Sequence, residues 1–189
     1  MKQIYILKYF VLITFVFCII SCKKGSNNEI KPLRSVIEKT IGKKLVLPDN
    51  IKIYAPFSNY IADSSNIWNS EYRIYSRIDA SCGTCIGNIK MWSKLIPEFQ
   101  KYKVPIILIF HSDDRFELIK YFCESGQIEE FSFPFFFDSE NKYAEMNEFM
   151  KINKNFETVL TDTNNTILLT GNPTTSTDIM NLYIKEVSK

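Results

Sequence analysis

The stretch Ser81-Cys82-Gly83-Thr84-Cys85-Ile86-Gly87 constrains this chain most. It follows a strand-like run, Tyr72 to Asp79, and opens a helical pattern that continues to about Tyr102. Two cysteines separated by two residues at a strand-to-helix junction make a reactive dithiol. The helix amides and the positive end of the helix dipole face the first sulfur and favour its thiolate. Cys82 is therefore the candidate nucleophile. Cys85, one turn further in, is the candidate resolving thiol, which closes a disulfide and releases a mixed-disulfide partner.

Two other uses of such a pair are weaker. A zinc site needs four ligands, and this chain has one histidine, His111, and no second C-x-x-C. A purely structural disulfide across so small a loop removes little entropy from the unfolded chain.

A chain of 189 residues holds one ordinary domain plus appendages, and 46% hydrophobic with 14% aromatic content suits a packed core. The net charge of +2 comes from Lys2 and Lys8, which precede residue 22 in a stretch without acids. The remaining body is neutral, with no electrostatic footprint for nucleic acid and no basic helix for an anionic membrane surface.

Residues 1–21 read as a secretory leader. Lys2 and Lys8 supply its positive end, and Tyr9 to Ile20 is an uncharged, mostly apolar run, too short to span a bilayer. Its end, Ile19-Ile20-Ser21-Cys22, resembles the bacterial lipobox. That resemblance implies cleavage before Cys22, lipid on its sulfur and a tethered protein; the alternative is an uncleaved anchor helix. Residues 22–32, with Gly25, Ser26, Asn27 and Asn28, read as a flexible tether, and residues 33–70 as a small N-terminal extension.

Within the extension, Leu33 to Ile41 is expected as a short helix stopped by Gly42, followed by extended segments at Lys44–Leu47 and Lys52–Tyr54 and a loop from Ser58 to Ser70. In the helix after the dithiol, Ile89, Trp92, Ile96 and Phe99 form an inward stripe. Val104 to Phe110 is a continuous apolar run, as a buried parallel strand requires. Ser112-Asp113-Asp114 is expected to cap a helix from Arg115 to Ser125. A strand at Phe133–Phe137, a helix at Ser139–Met150, and a hairpin of Thr158–Thr161 with Thr166–Thr170 follow. A last helix from Thr177 is expected to bury Ile179, Leu182, Tyr183 and Val187. Alternating strands and helices force parallel crossovers. The expected fold is therefore α/β over residues 71–189: a central mixed sheet with helices on both faces, an inserted strand-helix unit, and an antiparallel edge from the late hairpin.

On these residues the chain resembles the thioredoxin-like family, and within it the lipid-anchored TlpA-type branch of bacterial envelopes. The resemblance covers about Tyr72 to Val187. It rests on the dithiol after the first core strand, on Pro134 opening the inserted strand that ends at Asp138, and on the hairpin. There Thr158-Val159-Leu160-Thr161-Asp162 and Ile167-Leu168-Leu169-Thr170-Gly171-Asn172-Pro173 are similar to the family's "TFLID-x-x-G-x-I" pattern. It implies a thioredoxin-like fold, dithiol–disulfide exchange with protein thiols or disulfides, and an envelope location; no cofactor is expected. Family members place a partner-presenting cis-proline just before the first hairpin strand; this chain has Glu157 there. Ser81 replaces the usual tryptophan, and Gly83-Thr84 the usual Gly-Pro.

Glu157 near Cys82 is expected either to raise its pKa by like-charge repulsion or to accept the proton of Cys85; Asp79, three residues before Cys82, rivals it for the second role. Alternatively Glu157 pairs with Arg77, which with Arg73 is an unusual residue for a central strand. His111 leaves the carboxyl edge of the sheet, where sites gather, either as a third copper ligand with the two cysteines, as in Sco-like relatives, or as a hydrogen-bonded or exposed histidine. Cys123 is expected as a small buried apolar residue. The function expected is lipid-anchored thiol–disulfide exchange. The alternative is a non-catalytic lipoprotein on the same fold with a vestigial dithiol.

Overall fold

The computed structural model describes residues 27–57 and 67–189, with side chains from residue 33 onward. The expected leader at 1–21, Cys22 and most of the expected loop at 58–70 lie outside the described residues. The chain divides into two compact units, Met1–Ser35 and Val36–Lys189. Of the first, only the start of helix α1 (Asn27–Thr40) is described. This helix begins at Asn27 rather than Leu33, inside the stretch expected as tether, because apolar periodicity does not mark a polar first turn.

The second unit is built on six strands: β1 (Lys52–Tyr54), β2 (Tyr72–Asp79), β3 (Ile106–His111), β4 (Phe135–Phe137), β5 (Thr158–Asp162) and β6 (Ile167–Thr170). Their order in the sheet is β1-β4-β3-β2-β5-β6. β2, β3 and β4 run parallel, and β1, on one edge, and β5 and β6, on the other, are paired antiparallel. The helices flanking the sheet are α2 (Gly83–Gly87), α3 (Ile89–Gln100), α4 (Glu117–Glu124), α5 (Lys142–Met146) and α6 (Thr177–Val187).

The core lies where the apolar run places it. Ile106 to Phe110 are all buried, as a strand covered on both faces must be. Trp92 and Phe99 of α3 pack onto the same cluster, each such side chain contributing ~1.5–3 kcal/mol of transfer free energy. Phe116 stacks on Phe137 with ring centroids 4.1 Å apart. The helix α6 buries Tyr183 and Val187 as expected, but Ile179 only partly, and its Leu182 is 54% exposed. Gly171 precedes it at φ +128, where a Cβ would come within 3.2 Å of Ile179 Cδ1.

Side chains that capture backbone groups explain where other elements differ from expectation. The strand expected at Lys44–Leu47 is reduced to one bridge, Lys44 to Thr166. The Asn147 side chain takes the next pair of backbone groups: Val46 N–H donates to its Oδ1 at 3.0 Å, and its Nδ2 donates to Val46 O at 2.7 Å. The helix expected from Arg115 starts at Glu117. Ser112 Oγ and the Asp114 carboxylate accept from Phe116 N–H, while Arg115 and Phe116 adopt left-handed backbone. The helix expected over Ser139–Met150 starts only after Asn141, at φ 54, with Asp138 accepting from the amides of Lys142 and Tyr143. It breaks at Asn147 into a short 3₁₀ turn, Glu148–Lys151.

Arg73 and Arg77 resolve differently. Arg73 is 3% exposed, and its two terminal nitrogens donate to the carbonyls of Trp68, Asp162 and Thr163 and to Asn165 Oδ1, which compensate the buried charge, while its Nε has no acceptor among the described residues. Arg77 pairs with a carboxylate, described below.

Candidate active site

β2 ends at Asp79, beside His111 at the end of β3, and the chain turns there into the dithiol. The turn is pinned three times. Ala80 N–H donates to His111 O at 2.8 Å, Ser81 N–H to Asp79 Oδ1 at 2.9 Å, and Asp113 N–H to Ser81 Oγ at 2.7 Å. Cys82 then caps α2 with extended backbone, and its Sγ accepts from Cys85 N–H at 3.2 Å. A sulfur that receives a helix amide is better stabilised as thiolate than as thiol.

The two thiols differ accordingly. Hydrogen bonds from the Cys85 thiol and amide hold the Cys82 pKa below the ordinary thiol value, against opposing burial and the charge of Asp79. Burial, and the hydrogen bond to the Cys82 sulfur, push Cys85 up to about 11. Both cysteines are half-buried free thiols. A Cβ added at Gly83 would sit 4.0 Å from Phe122 Cζ.

Of the two candidate carboxylates, Asp79 acts on both sulfurs, its negative charge raising each pKa. Glu157 closes the 3₁₀ turn Lys154–Glu157 just before β5, and its Oε1 accepts from Arg77 Nη1 at 2.5 Å. Burial holds the Glu157 carboxyl above its usual range, with Arg77 opposing. Arg77 Nη2 also donates to Asn141 Oδ1 at 3.0 Å, and its buried Nε has no acceptor among the described residues.

His111 is half-buried, and burial together with the Arg77 charge favours its neutral form. Among the described residues no group of three or more His, Cys, Asp and Glu side chains is arranged to hold a metal ion. Cys123 sits partly buried in α4, its thiol pushed up to about 11 by burial. Lys154, whose charge acts on both Cys85 and Glu157, is absent from any reading of the sequence. It stands in a polar stretch with no periodicity, and only the fold brings its charge to bear on Cys85.

No family model matches the chain, and no curated protein matches it in sequence. Solved structures do match. A Chlorobium tepidum protein described as a thiol:disulfide interchange protein DsbE superposes on 78% of this chain and 96% of its own, with a TM-score of 0.51 at 14% identity. The fold is thioredoxin-like. An Aquifex aeolicus protein described as an electron transport protein shares this thioredoxin-like architecture over 79% of this chain and 98% of its own, with a TM-score of 0.50 and 14% identity. The thioredoxin domain of a thiol-disulfide oxidoreductase from Bacteroides vulgatus gives a TM-score of 0.49 at 17% identity, covering 78% of this chain and 97% of that one. At 14% identity the first two likenesses are ones of fold alone.

Proposed function

We propose that this protein is a lipid-anchored thiol–disulfide oxidoreductase of the bacterial envelope, similar to the TlpA-type branch, facing the periplasm and held by lipid on Cys22. Residues 1–21 would be removed as a leader, and the stretch before α1 would serve as part of the tether. Names borne by the structural neighbours, thiol:disulfide interchange among them, support the reaction class. The observation that carries the reading is the asymmetry of the dithiol: Cys82 Sγ takes the Cys85 amide at 3.2 Å, while Cys85 is pushed up to about 11.

The chemistry follows from that asymmetry. The Cys82 thiolate attacks one sulfur of a partner disulfide; the partner's S–S bond breaks, and its electron pair leaves on the second partner sulfur. A Cys82–partner mixed disulfide remains. Cys85 loses its proton, attacks Cys82 Sγ, closes the Cys82–Cys85 disulfide and expels the partner as thiolate. The dithiol is oxidised by two electrons and the partner disulfide reduced; the reverse sequence oxidises a partner dithiol. A thiol near 11 needs a base at neutral pH. We assign that role to Asp79, whose charge acts on Cys85, whereas Glu157 is not among the groups that do and its Oε1 is bound to Arg77. The Glu157 charge is not among the influences on either sulfur, which answer to Asp79 and, at Cys85, to Lys154.

The test is a trap. Cys85→Ser expressed in the native envelope should accumulate a mixed disulfide on Cys82, seen as a reducible band on a non-reducing gel and missing when Cys82 is also Ser. An empty lane favours the second reading, a thioredoxin-fold scaffold with a vestigial dithiol. That reading draws on Glu157 standing, bound to Arg77, where relatives carry their partner-presenting proline.

A further inference from the structure

The β2–β5 ladder ends at Ser76 and Thr158, whose hydroxyls lie 2.8 Å apart. β2 nevertheless continues, with Arg77 paired to Ile109, Ile78 to Phe110 and Asp79 to His111. The last residues of β2 before the dithiol thus have a paired strand on the β3 side only. Beyond Thr158 on the other side the chain is the 3₁₀ turn Lys154–Glu157, which the ladder does not hold. A side chain holds it instead. Arg77 Nη1 grips Glu157 Oε1 at 2.5 Å, and Nη2 grips Asn141 Oδ1 at 3.0 Å in the turn between β4 and α5. The pair is largely shielded, with side chains 15% and 23% exposed. One guanidinium therefore ties three segments together at the edge from which Cys82 and Cys85 project. The turn also acts on Cys85 electrostatically, through Lys154.

We propose that Arg77 is a positioning residue that fixes this edge so that the chain flanking a polypeptide disulfide can lie against it beside Cys82. The proposal rests on the exchange reading above and adds one thing to it: the preference for a polypeptide disulfide over a small free one depends on Arg77. Arginine suits the task because its planar fork places two donors in fixed directions and keeps its charge at every working pH. A lysine offers one point charge and no second arm. A small disulfide needs only the Cys82 sulfur. A polypeptide disulfide must also seat its flanking residues, so slack in the Lys154–Glu157 turn is felt as lost binding and misorientation.

The experiment compares two probes on the reduced full-length protein in detergent: a cystine-bridged peptide and hydroxyethyl disulfide. The readout is the ratio of their second-order rate constants in wild type, Arg77→Gln and Arg77→Lys, with thermal melts confirming that each variant is folded. The ratio should fall about tenfold in Arg77→Gln, through a slower peptide reaction alone, and by less in Arg77→Lys, which keeps a cation beside Glu157 but loses the arm to Asn141. If Arg77→Gln does not fold, a drop in Arg77→Lys carries the test. An unchanged ratio in the folded variants overturns the role of Arg77 while leaving the exchange reading intact. A wild type inert towards both probes overturns the two together.

Discussion

Arg77 Nη1 and Glu157 Oε1 meet at 2.5 Å one position past the last β2–β5 rung, so an ion pair stands where the next ladder bonds would be. Burial still outweighs the guanidinium and holds the Glu157 carboxyl above its ordinary 4.5. A carboxyl with a raised folded pKa binds its proton more tightly in the native than in the unfolded state. Its ionisation therefore costs stability as pH rises from about 4.5 through the raised value. Glu157→Gln removes that dependence. Urea melts from pH 4 to 7 should show the variant gaining on wild type as pH rises through this window; a difference independent of pH contradicts the assignment.

His111 gives the opposite slope. Burial and Arg77 lower its pKa below 6.5, so the unfolded chain takes up the proton first as pH falls. Wild-type stability should drop as pH falls from about 6.5 towards the lowered value, and His111→Gln should flatten that segment of the profile. Parallel profiles for the two proteins would remove His111 from the titration.

The dithiol predicts one fast thiol. At pH 8 a thiol at the ordinary value of 9.0 is about 9% thiolate, and one near 11 only ~0.1%, as for Cys85 and Cys123. Cys82 lies below 9.0, so iodoacetamide should label it at least about a hundredfold faster than either of the others, read by peptide mapping. Comparable rates at Cys82 and Cys85 would mean that the cap does not stabilise the thiolate.

Asp79→Asn separates two effects. Removing the charge that raises both sulfurs shifts the Cys82 alkylation profile to lower pH. If Asp79 also takes the Cys85 proton, release of a trapped peptide from the mixed disulfide slows by about a hundredfold, even as Cys82 becomes more acidic. A profile that shifts without slower release assigns the proton elsewhere.

Asn147→Ala tests the fold away from the site. Its side chain closes two bonds with Val46 and donates to Tyr143 O at 2.7 Å. Losing all three should cost about 1–3 kcal/mol in urea unfolding with the dithiol reactivity retained. A loss below ~0.5 kcal/mol would place water in those bonds.

The parts of this architecture that were legible in sequence are those that periodicity or punctuation writes locally. β2 has the expected bounds, the α3 stripe of Ile89, Trp92, Ile96 and Phe99 is buried, and the late hairpin forms. What escaped was set by side chains acting across long separations. Asn147 intercepts Val46 101 residues away, and Asp138, Asn141 and Ser112 reset helix starts that apolar spacing had placed earlier. At the site the cysteines and Asp79 could be named from a motif and its flank. Arg77 stood out as an unusual strand residue, and its pairing with Glu157, 80 residues on, was one of two alternatives there; the structure shows that pair. Lys154 and Asn141 carried no signal at all.

The most direct measurement is equilibration of the purified protein with glutathione buffers of graded redox ratio, followed by acid quench, alkylation and mass mapping of Cys82 and Cys85. The account predicts a single two-electron transition in which both thiols disappear together into one disulfide and return on reduction. Two thiols that stay unlinked across the whole series, with no mixed disulfide to glutathione on Cys82, would contradict it.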